Sequence, residues 1–355
     1  MAIVGGGPAG AVAAMIVRQQ TPDQSVLIIE TPTRGKPVAG RTLSREGAQV
    51  LREIGVGEEA KQPASAEALF ERARAVGAII LTHLAIGRAD TCTDHIERLH
   101  LDDGRTVVAD WYVDASGSDR VLVRAVGASD DQTTGENWLL CDGPAGTSET
   151  ARLANPSLAL TIGHDAGCTL AALHRGEHDT RWLLWSYHES TRRRVNDHAI
   201  VDRCSHAGEL QLELRRYNII KPNLVGATRD WIAGFRAGGV DLVPCYVRDG
   251  RTLPVAGVHE RLFEALKHHT VIADVLGELE REIHTSVPSS EWPGAIWRYV
   301  ARLEAMLRDG WLIGRLDRRR PMPAWPEDSP PHVRVLGSGD RTKPAAVEPS
   351  QRAIG

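Results

Sequence analysis

The first thirty residues contain the pattern that most constrains how this chain can fold. A short apolar segment, 2–4, is followed by the glycine-rich sequence GGGPAG at 5–10. The alanine-rich stretch 11–20 is typical of a helix, and the aliphatic run 25–30, which ends in Glu30, is typical of a buried strand. A strand, a glycine-rich turn, a helix and an acid-ended strand in this order predict a dinucleotide-binding βαβ unit.

Each residue of the turn has a physical task in such a unit. Gly5 permits the tight turn, and Gly7 lets the backbone approach a pyrophosphate with no Cβ in the way. Pro8 and Ala9 begin the helix, whose free N–H groups and positive dipole end face the phosphates. Gly10 allows the helix to pack closely on the strand.

Glu30 completes the predicted site. It lies twenty residues after Gly10 and can accept hydrogen bonds from both hydroxyls of an adenosine ribose. A carboxylate at this place disfavours a 2′-phosphate, so NADP is not expected here. The alternative interpretation is an ordinary glycine-rich loop, and the turn alone does not separate NAD from FAD.

Composition places the chain among ordinary globular proteins. It has 355 residues, of which 42% are apolar and 25% charged, and a net charge of −4. This length suggests about two domains, and the charge balance gives no reason to expect nucleic acid or a membrane as partner. The five cysteines never form a CxxC pair, so we expect reduced thiols in a cytoplasmic protein. The spacing of Cys168, His174 and His178 resembles that of metal ligands only weakly, and we expect no metal site.

The segment after the second strand points to a particular group of flavoproteins. Arg41 precedes a predicted helix over 44–54, which contains Gly47 and Leu51 and ends at Gly55. This order resembles the "R…G…L…LG" pattern of the FAD-dependent aromatic monooxygenase superfamily. That group includes p-hydroxybenzoate hydroxylase-like enzymes, geranylgeranyl reductase-like enzymes and tryptophan halogenases. The resemblance implies that Arg41 contacts the flavin; the alternative is a solvated arginine at a helix start.

A second match follows a hairpin predicted over 96–109, with Asp-Asp-Gly at its turn. The next strand ends in Asp114-Ala115-Ser116-Gly117, and Ser118-Asp119-Arg120 follows. This resembles the "DASG" ending of the reductase and halogenase branches. The resemblance implies that the backbone at Gly117 passes near the cofactor, while Asp114 can cap nearby N–H groups. The alternative is a plain strand-to-turn junction.

The superfamily's third motif, a strand that ends in Gly-Asp, has two candidates. The first is Gly339-Asp340 after the strand-like run 334–336, with 348–355 resembling the piece that follows. The resemblance implies that Asp340 holds the ribityl chain. The rival is 249–257, which leads into a predicted helix.

The resemblance implies an α/β protein with a Rossmann-like FAD-binding domain of the glutathione-reductase type and an inserted α+β substrate domain. We expect the first part of the FAD-binding domain at 1–136 and the substrate domain at 137–316. Residues 317–355 are expected to form a connector and a return strand. Relatives continue beyond the third motif with a long helix, so we expect a C-terminally shortened architecture that retains FAD weakly.

The expected substrate domain contains two predicted strands and two predicted helices. The strands are 158–162 and 181–187, and one face of the second is a candidate lining for the substrate cavity. The amphipathic helices are 258–283 and 295–307.

The resemblance implies an FAD-dependent oxidoreductase of the monooxygenase type. NAD(P)H would reduce the flavin, and O₂ would serve to oxidise a small aromatic substrate or a tryptophan side chain of a partner protein. No residue identifies itself as a catalytic base, and the halogenase Trp-x-Trp-x-Ile-Pro motif is not matched by 182–185. The alternatives are an NAD-dependent dehydrogenase and a degenerate, non-catalytic interaction protein.

Overall fold

The computed structural model describes residues 1–30, 43–56, 66–129, 132–141, 156–206, 213–236, 238–286 and 292–320. The strands are β1 Ala2–Val4, β2 Leu27–Glu30, β3 Ile79–Thr82, β4 Ile86–Cys92, β5 His95–Leu101, β6 Thr106–Val107, β7 Tyr112–Asp114, β8 Trp138–Leu140, β9 Ile219–Pro222, β10 Thr228–Arg236, β11 Gly239–Arg248, β12 Arg251–Pro254 and β13 Leu312–Arg315. The helices are α1 Pro8–Gln20, α2 Arg45–Glu53, α3 Ala66–Ala75, α4 Val121–Val126, α5 Pro156–Arg175, α6 Thr180–His206, α7 Val258–His268, α8 Ile272–Ser286 and α9 Trp292–Arg308.

A five-stranded parallel sheet is the centre of the first half of the chain, in the order β3-β2-β1-β7-β8. Ile3 lies between Ile28 and Val113 in the register, and all three side chains are completely buried. Strands covered on both faces need apolar residues at successive positions, as the sequence of β1 and β2 shows. The predicted α/β class and the predicted βαβ unit are confirmed.

The small antiparallel sheet β4-β5-β6 forms the connection between β3 and β7. Its second hairpin is the one predicted from Asp-Asp-Gly, with Gly104 at a φ of 88° in the turn. The helix predicted over 44–54 is α2, and its first turn is capped by the Ser44 side chain, which accepts a hydrogen bond from the Gly47 N–H.

The predicted strand 158–162 is wrong, because these residues lie in α5. This helix packs along α1 at very short range. A Cβ at Gly163 would overlap the Ala9 backbone, and one at Gly167 would lie 2.7 Å from the Ile16 Cβ. Glycines four residues apart share one helix face, so their spacing permits this close approach. A short apolar run cannot by itself distinguish a buried helix from a strand.

The predicted strand 181–187 is also wrong, because the segment begins the 27-residue helix α6. Leu183 and Tyr187, four residues apart, are completely buried on one face. Trp182 lies on another face, where its indole N–H donates to the Trp231 carbonyl at 3.2 Å. Large side chains alternate along 181–187 as they do in a strand, but the buried positions follow the helical period. The candidate cavity lining on this strand therefore does not exist.

A second core brings together the elements after α6. It contains β9, β12, β13 and helices α7, α8 and α9. The helix predicted over 258–283 is two helices, since His269 adopts an extended conformation between α7 and α8. The helix predicted over 295–307 is confirmed within α9.

The sheet of the first half extends past the boundary predicted between residues 136 and 137, because β8 is its fifth strand. The apolar tripeptide Trp138–Leu140 is completely buried. The division of the chain at 136 and 316 stays a prediction. In the described part of the chain, every helix is too short or too polar to cross a bilayer.

A buried charged network joins α2, α5 and α6. His164 lies 3.0 Å from the Glu53 carboxylate and 3.4 Å from Asp165. Asp165 also pairs with Arg194 at 2.8 Å and accepts the Ser190 hydroxyl at 3.0 Å. Burial opposes charge on the imidazole, but hydrogen bonds and charge interactions with Asp165 and Cys168 outweigh it and raise the pKa of His164 to about 10.

This network predicts a pH dependence of stability. A histidine whose folded pKa exceeds its unfolded value of about 6.5 contributes stability below that value, and the contribution is lost as the pH rises to about 10. We therefore expect the free energy of unfolding to fall between pH 7 and pH 10 by at least ~1 kcal/mol, since one pKa unit is worth ~1.4 kcal/mol. Urea denaturation of the His164→Gln variant should lack this part of the slope. An unchanged slope would contradict a charged His164, and His284→Gln on α8 is the control.

Candidate functional site

The turn after β1 is held so tightly that only glycine fits at Gly5. Its φ is 98°, in the left-handed region, and its N–H donates to the Ile29 carbonyl at 2.8 Å. A Cβ here would overlap the Ala115 carbonyl, which belongs to the segment after β7. The backbone of the turn therefore packs directly against the backbone that follows β7, and a side chain at Gly5 would not fit between them.

Gly10 and Gly7 differ in what surrounds them. A Cβ at Gly10 would overlap the Gly5 carbonyl oxygen, so α1 starts in direct contact with the turn. A Cβ at Gly7 would meet nothing within 4 Å, and the φ of −58° at Gly7 is open to any residue. Gly7 thus faces open space at the helix N-terminus, while Gly10 is needed for packing.

The N-terminus of α1 is prepared to bind an anion. Pro8 occupies the first turn, and among the described residues no side chain caps this end. The first N–H groups of α1 therefore have no side-chain acceptor at the N-cap. Free N–H groups and the positive end of the helix dipole favour a phosphate at this place.

Glu30 lies beside the turn, at the end of β2. One of its carboxylate oxygens accepts a hydrogen bond from the Gly6 N–H. The Phe70 ring of α3 lies against the same glycine, and a Cβ at Gly6 would overlap it. Sequence reasoning missed Gly6 and Phe70. The run of three consecutive glycines at 5–7 was the available signal for Gly6, and no feature of the sequence indicated Phe70.

Asp114 fixes the turn at the end of β7. It is completely buried, and its carboxylate accepts from the Ser116 N–H at 3.1 Å and the Ser116 hydroxyl at 2.5 Å. It also accepts hydrogen bonds from the N–H groups of Leu122 and Val123, in the first turn of α4, at 2.7 and 3.2 Å. Burial raises the pKa of this carboxyl, and these hydrogen bonds oppose the shift. The predicted capping role of Asp114 agrees with these contacts.

Gly117 follows in a one-turn helix over Gly117–Asp119, at a φ of 66°. Because Ala115 donates its N–H to the Val4 carbonyl at 2.7 Å, this loop lies at the same sheet edge as the glycine-rich turn. The structure therefore brings together Gly5, Gly7, Gly10, Glu30 and Asp114. Their predicted roles toward a cofactor stay predictions.

Three predicted contacts cannot be placed. Arg41, Gly339 and Asp340 lie outside the described residues. The rival for the third motif is placed: Asp249 and Gly250 form the hairpin turn between β11 and β12, in a separate sheet. The rival motif therefore does not lie on the parallel sheet.

Strand β8 was missed in the sequence, although it ends at the same edge. Cys141, directly after it, donates its N–H to the Asp114 carbonyl at 2.8 Å. The apolar tripeptide at 138–140 was its signal, and Asp142-Gly143 come next in the sequence, outside the described residues. The carboxyl ends of β1, β7 and β8 thus lie at one edge of the parallel sheet, the edge at which parallel α/β sheets bind their ligands.

Fold and site together define a Rossmann-type dinucleotide-binding fold. Residues 64–167, from before α3 to the middle of α5, match the family model described as tryptophan halogenase. A comparison with curated proteins finds no match.

The chain is also similar to several solved structures. The chain is similar to CmlS, a flavin-dependent halogenase, with a TM-score of 0.51 and 12% identity over 90% of this chain and 96% of that one. It is also similar to the peptidyl tryptophan dihydroxylase QhpG (TM-score 0.45, 14% identity, 87% and 97% covered). PqsL from Pseudomonas aeruginosa, a probable FAD-dependent monooxygenase, is similar with a TM-score of 0.46 and 11% identity, over 57% of this chain and 94% of that one. The likeness to CmlS shows a shared fold, and with the family match it confirms the predicted resemblance.

Proposed function

We propose that this chain is an FAD-dependent oxidoreductase. The observation that carries the proposal is the open space in front of Gly7. It adjoins an uncapped helix N-terminus, with the Glu30 carboxylate on one side and the Asp114 turn on the next strand. These residues fit the adenosine and pyrophosphate half of a dinucleotide. FAD, when bound, supplies the redox chemistry.

Each part of the site has a role toward this cofactor. The first N–H groups of α1 bind the pyrophosphate, and Glu30 accepts hydrogen bonds from the ribose hydroxyls while it holds the Gly6 N–H. Asp114 holds the loop that ends β7 in one conformation, so that its backbone borders the cofactor. Arg41 and Asp340 are proposed as further contacts on the resemblance alone.

FAD is favoured over NAD by the topology as well as by the resemblance. In the described chain, the parallel sheet ends at β8, and no second βαβαβ half follows it. NAD-dependent dehydrogenases of the Rossmann type are built from two such halves. The region 64–167, which matches the tryptophan halogenase model, contains the whole antiparallel sheet β4-β5-β6.

For the reaction, we propose oxidation of an electron-rich aromatic ring, using NAD(P)H and O₂. The substrate is either a small aromatic compound or a tryptophan side chain of a partner protein. The match of 64–167 to the tryptophan halogenase model favours halogenation as the second candidate. Mass spectrometry of tryptophan and a tryptophan-containing peptide after turnover with NADH or NADPH, with and without bromide, tests both. Gain of oxygen supports the first and gain of bromine the second, while an unreduced flavin excludes NAD(P)H as the direct reductant.

Binding of the cofactor is tested separately. We expect purified protein titrated with FAD to quench flavin fluorescence with a stoichiometry of one per chain. NAD in the same titration should not compete at equal concentration. Tight NAD binding with no response to FAD would contradict the proposal.

Glu30→Ala is expected to weaken FAD binding by about 1–3 kcal/mol, the scale of hydrogen bonds to a charged acceptor. The variant loses the ribose acceptor and the Gly6 contact together. Glu30→Gln should recover part of the affinity, because its amide oxygen still accepts from Gly6. The control is Glu97→Ala, an exposed glutamate on β5. Equal FAD affinity of Glu30→Ala and wild type would show that Glu30 does not contribute to cofactor binding.

A further inference from the structure

The side chain of Phe70 is an apolar group among the polar groups of the predicted cofactor site. Phe70 belongs to the second turn of α3, and the edge of its ring reaches the glycine-rich turn. A Cβ at Gly6 would overlap the ring Cζ and would stand 2.6 Å from a carboxylate oxygen of Glu30. The ring and the Glu30 carboxylate therefore border the same glycine.

The direction of α3 explains why the ring reaches this turn. The helix leads into β3, which runs parallel to β2, so the first turns of α3 lie at the edge where the parallel strands end. Helix side chains tilt toward the helix N-terminus, and here they tilt toward that edge. Leu69 and Ala73 are almost completely buried in the core around α1, whereas Phe70 lies at the margin of this core and is half-buried.

The ring is close to where a bound nucleoside would place its base. The hydroxyls that Glu30 is proposed to bind are on C2′ and C3′ of the ribose, and adenine is bonded to C1′, the next carbon of the sugar ring. The base therefore lies within one sugar ring of the Glu30 carboxylate, beside the Phe70 ring. Adenine has a flat π face, and such faces stack on aromatic side chains.

A carboxylate and an aromatic ring at one place match a nucleoside better than a bare phosphate. The ribose donates hydrogen bonds to the carboxylate, and the adenine covers the ring. A phosphate group at this place would be repelled by the Glu30 carboxylate and would leave the ring against water. The phosphates are therefore expected at the N-terminus of α1, and the adenosine at Glu30 and Phe70.

We propose that Phe70 is a binding residue for the adenosine half of the cofactor and that its ring packs against the adenine. The proposal rests on the proposed function, because it assigns Phe70 to the FAD site. It goes further in making adenosine binding depend on α3, an element outside the βαβ unit of β1, α1 and β2. A phenyl ring has no polar atom, so its contribution is stacking and the exclusion of water.

Titrations with ADP and with inorganic pyrophosphate separate the base from the phosphates. We expect wild type to bind ADP more tightly than pyrophosphate in isothermal titration. Phe70→Ala is expected to raise the Kd for ADP, and the Kd for FAD in a flavin fluorescence titration, at least about fivefold, the lower end of base stacking on an aromatic side chain. The Kd for pyrophosphate should stay the same.

Two further variants complete the experiment. Phe70→Leu keeps an apolar side chain without the flat ring, so it should also raise the Kd for ADP and not that for pyrophosphate. It carries the test if circular dichroism shows that Phe70→Ala does not fold. Phe263→Ala on α7 is the matched control, because Phe263 is also half-buried and its ring contacts Tyr246 in the second core. It should bind all three ligands as wild type does.

The outcomes distinguish the role of Phe70 from the proposed function. Unchanged Kd values for ADP and FAD in the folded Phe70 variants would overturn the role of Phe70 and leave the proposed function standing. An equal loss for ADP and pyrophosphate would also overturn it, since the ring would then only support the turn that binds the phosphates. Wild type that binds ADP but not FAD would contradict the proposed function, while the ADP titrations still decide the role of Phe70. Wild type that binds neither would contradict both.

Discussion

Gly7→Val is expected to abolish FAD binding while the chain stays folded. No atom lies within 4 Å of the position where a Cβ at Gly7 would stand, and the φ of −58° suits valine. The protein itself therefore tolerates the side chain. The same space is where the pyrophosphate must approach the first N–H groups of α1, so the valine methyl groups would exclude the phosphates. We expect a loss of affinity of at least about a hundredfold, on the order of 3 kcal/mol.

Flavin fluorescence titration and far-UV circular dichroism measure binding and folding on the same samples. Gly277→Val is the matched control, because Gly277 in α8 also has open space around its Cβ position. It should bind FAD normally. Gly10→Val should instead lose the fold, since its side chain would overlap the Gly5 carbonyl. Normal FAD affinity in a folded Gly7→Val protein would show that the phosphates bind elsewhere.

Asp114→Ala should destabilise the chain by at least about 3 kcal/mol. The substitution leaves the N–H groups of Leu122 and Val123 and both donors of Ser116 without their acceptor. Each buried donor left unsatisfied costs ~1–3 kcal/mol. The loop after β7 and the start of α4 lose their common anchor, so FAD binding is expected to weaken as well.

Urea denaturation gives the stability change. Asp119→Ala is the matched control, because this exposed aspartate lies in the same loop. The free energy of unfolding of Asp114→Asn should lie between those of Asp114→Ala and Asp119→Ala. The asparagine amide oxygen accepts only some of the hydrogen bonds that the carboxylate accepts. A free energy of unfolding for Asp114→Ala within about 0.5 kcal/mol of wild type, the range of ordinary surface substitutions, would show that the four donors find other partners.

The βαβ unit could be predicted because most of its determinants are local in the sequence. Gly10 is required by the Gly5 carbonyl in the same turn, Gly5 adopts a φ of 98° in that turn, and Glu30 follows at the end of the next strand. The contact of Gly5 with the Ala115 carbonyl is the one determinant that is distant in the sequence. Such a unit leaves its pattern in thirty consecutive residues. The turn at Asp114 could also be predicted, because the hydrogen bonds that fix it join residues within 114–123.

The errors lie where local pattern and tertiary environment diverge. The runs 158–162 and 181–187 have apolar residues in an order that fits both a strand and a buried helix. Their identity was decided by partners distant in the sequence: α1 packs on Gly163 and Gly167, and the Leu140 carbonyl accepts the Tyr187 hydroxyl at 2.8 Å. Neither partner is visible from the segment itself.

The sequence by itself determined the βαβ unit and the position of its glycine-rich turn, because these depend largely on backbone conformation within a few residues. Only the tertiary structure decided that β8 joins the sheet beside β7 and that Phe70 lies against Gly6. These placements depend on how separate helices and strands pack. Packing is set by the burial of whole faces and leaves no fixed spacing along the chain.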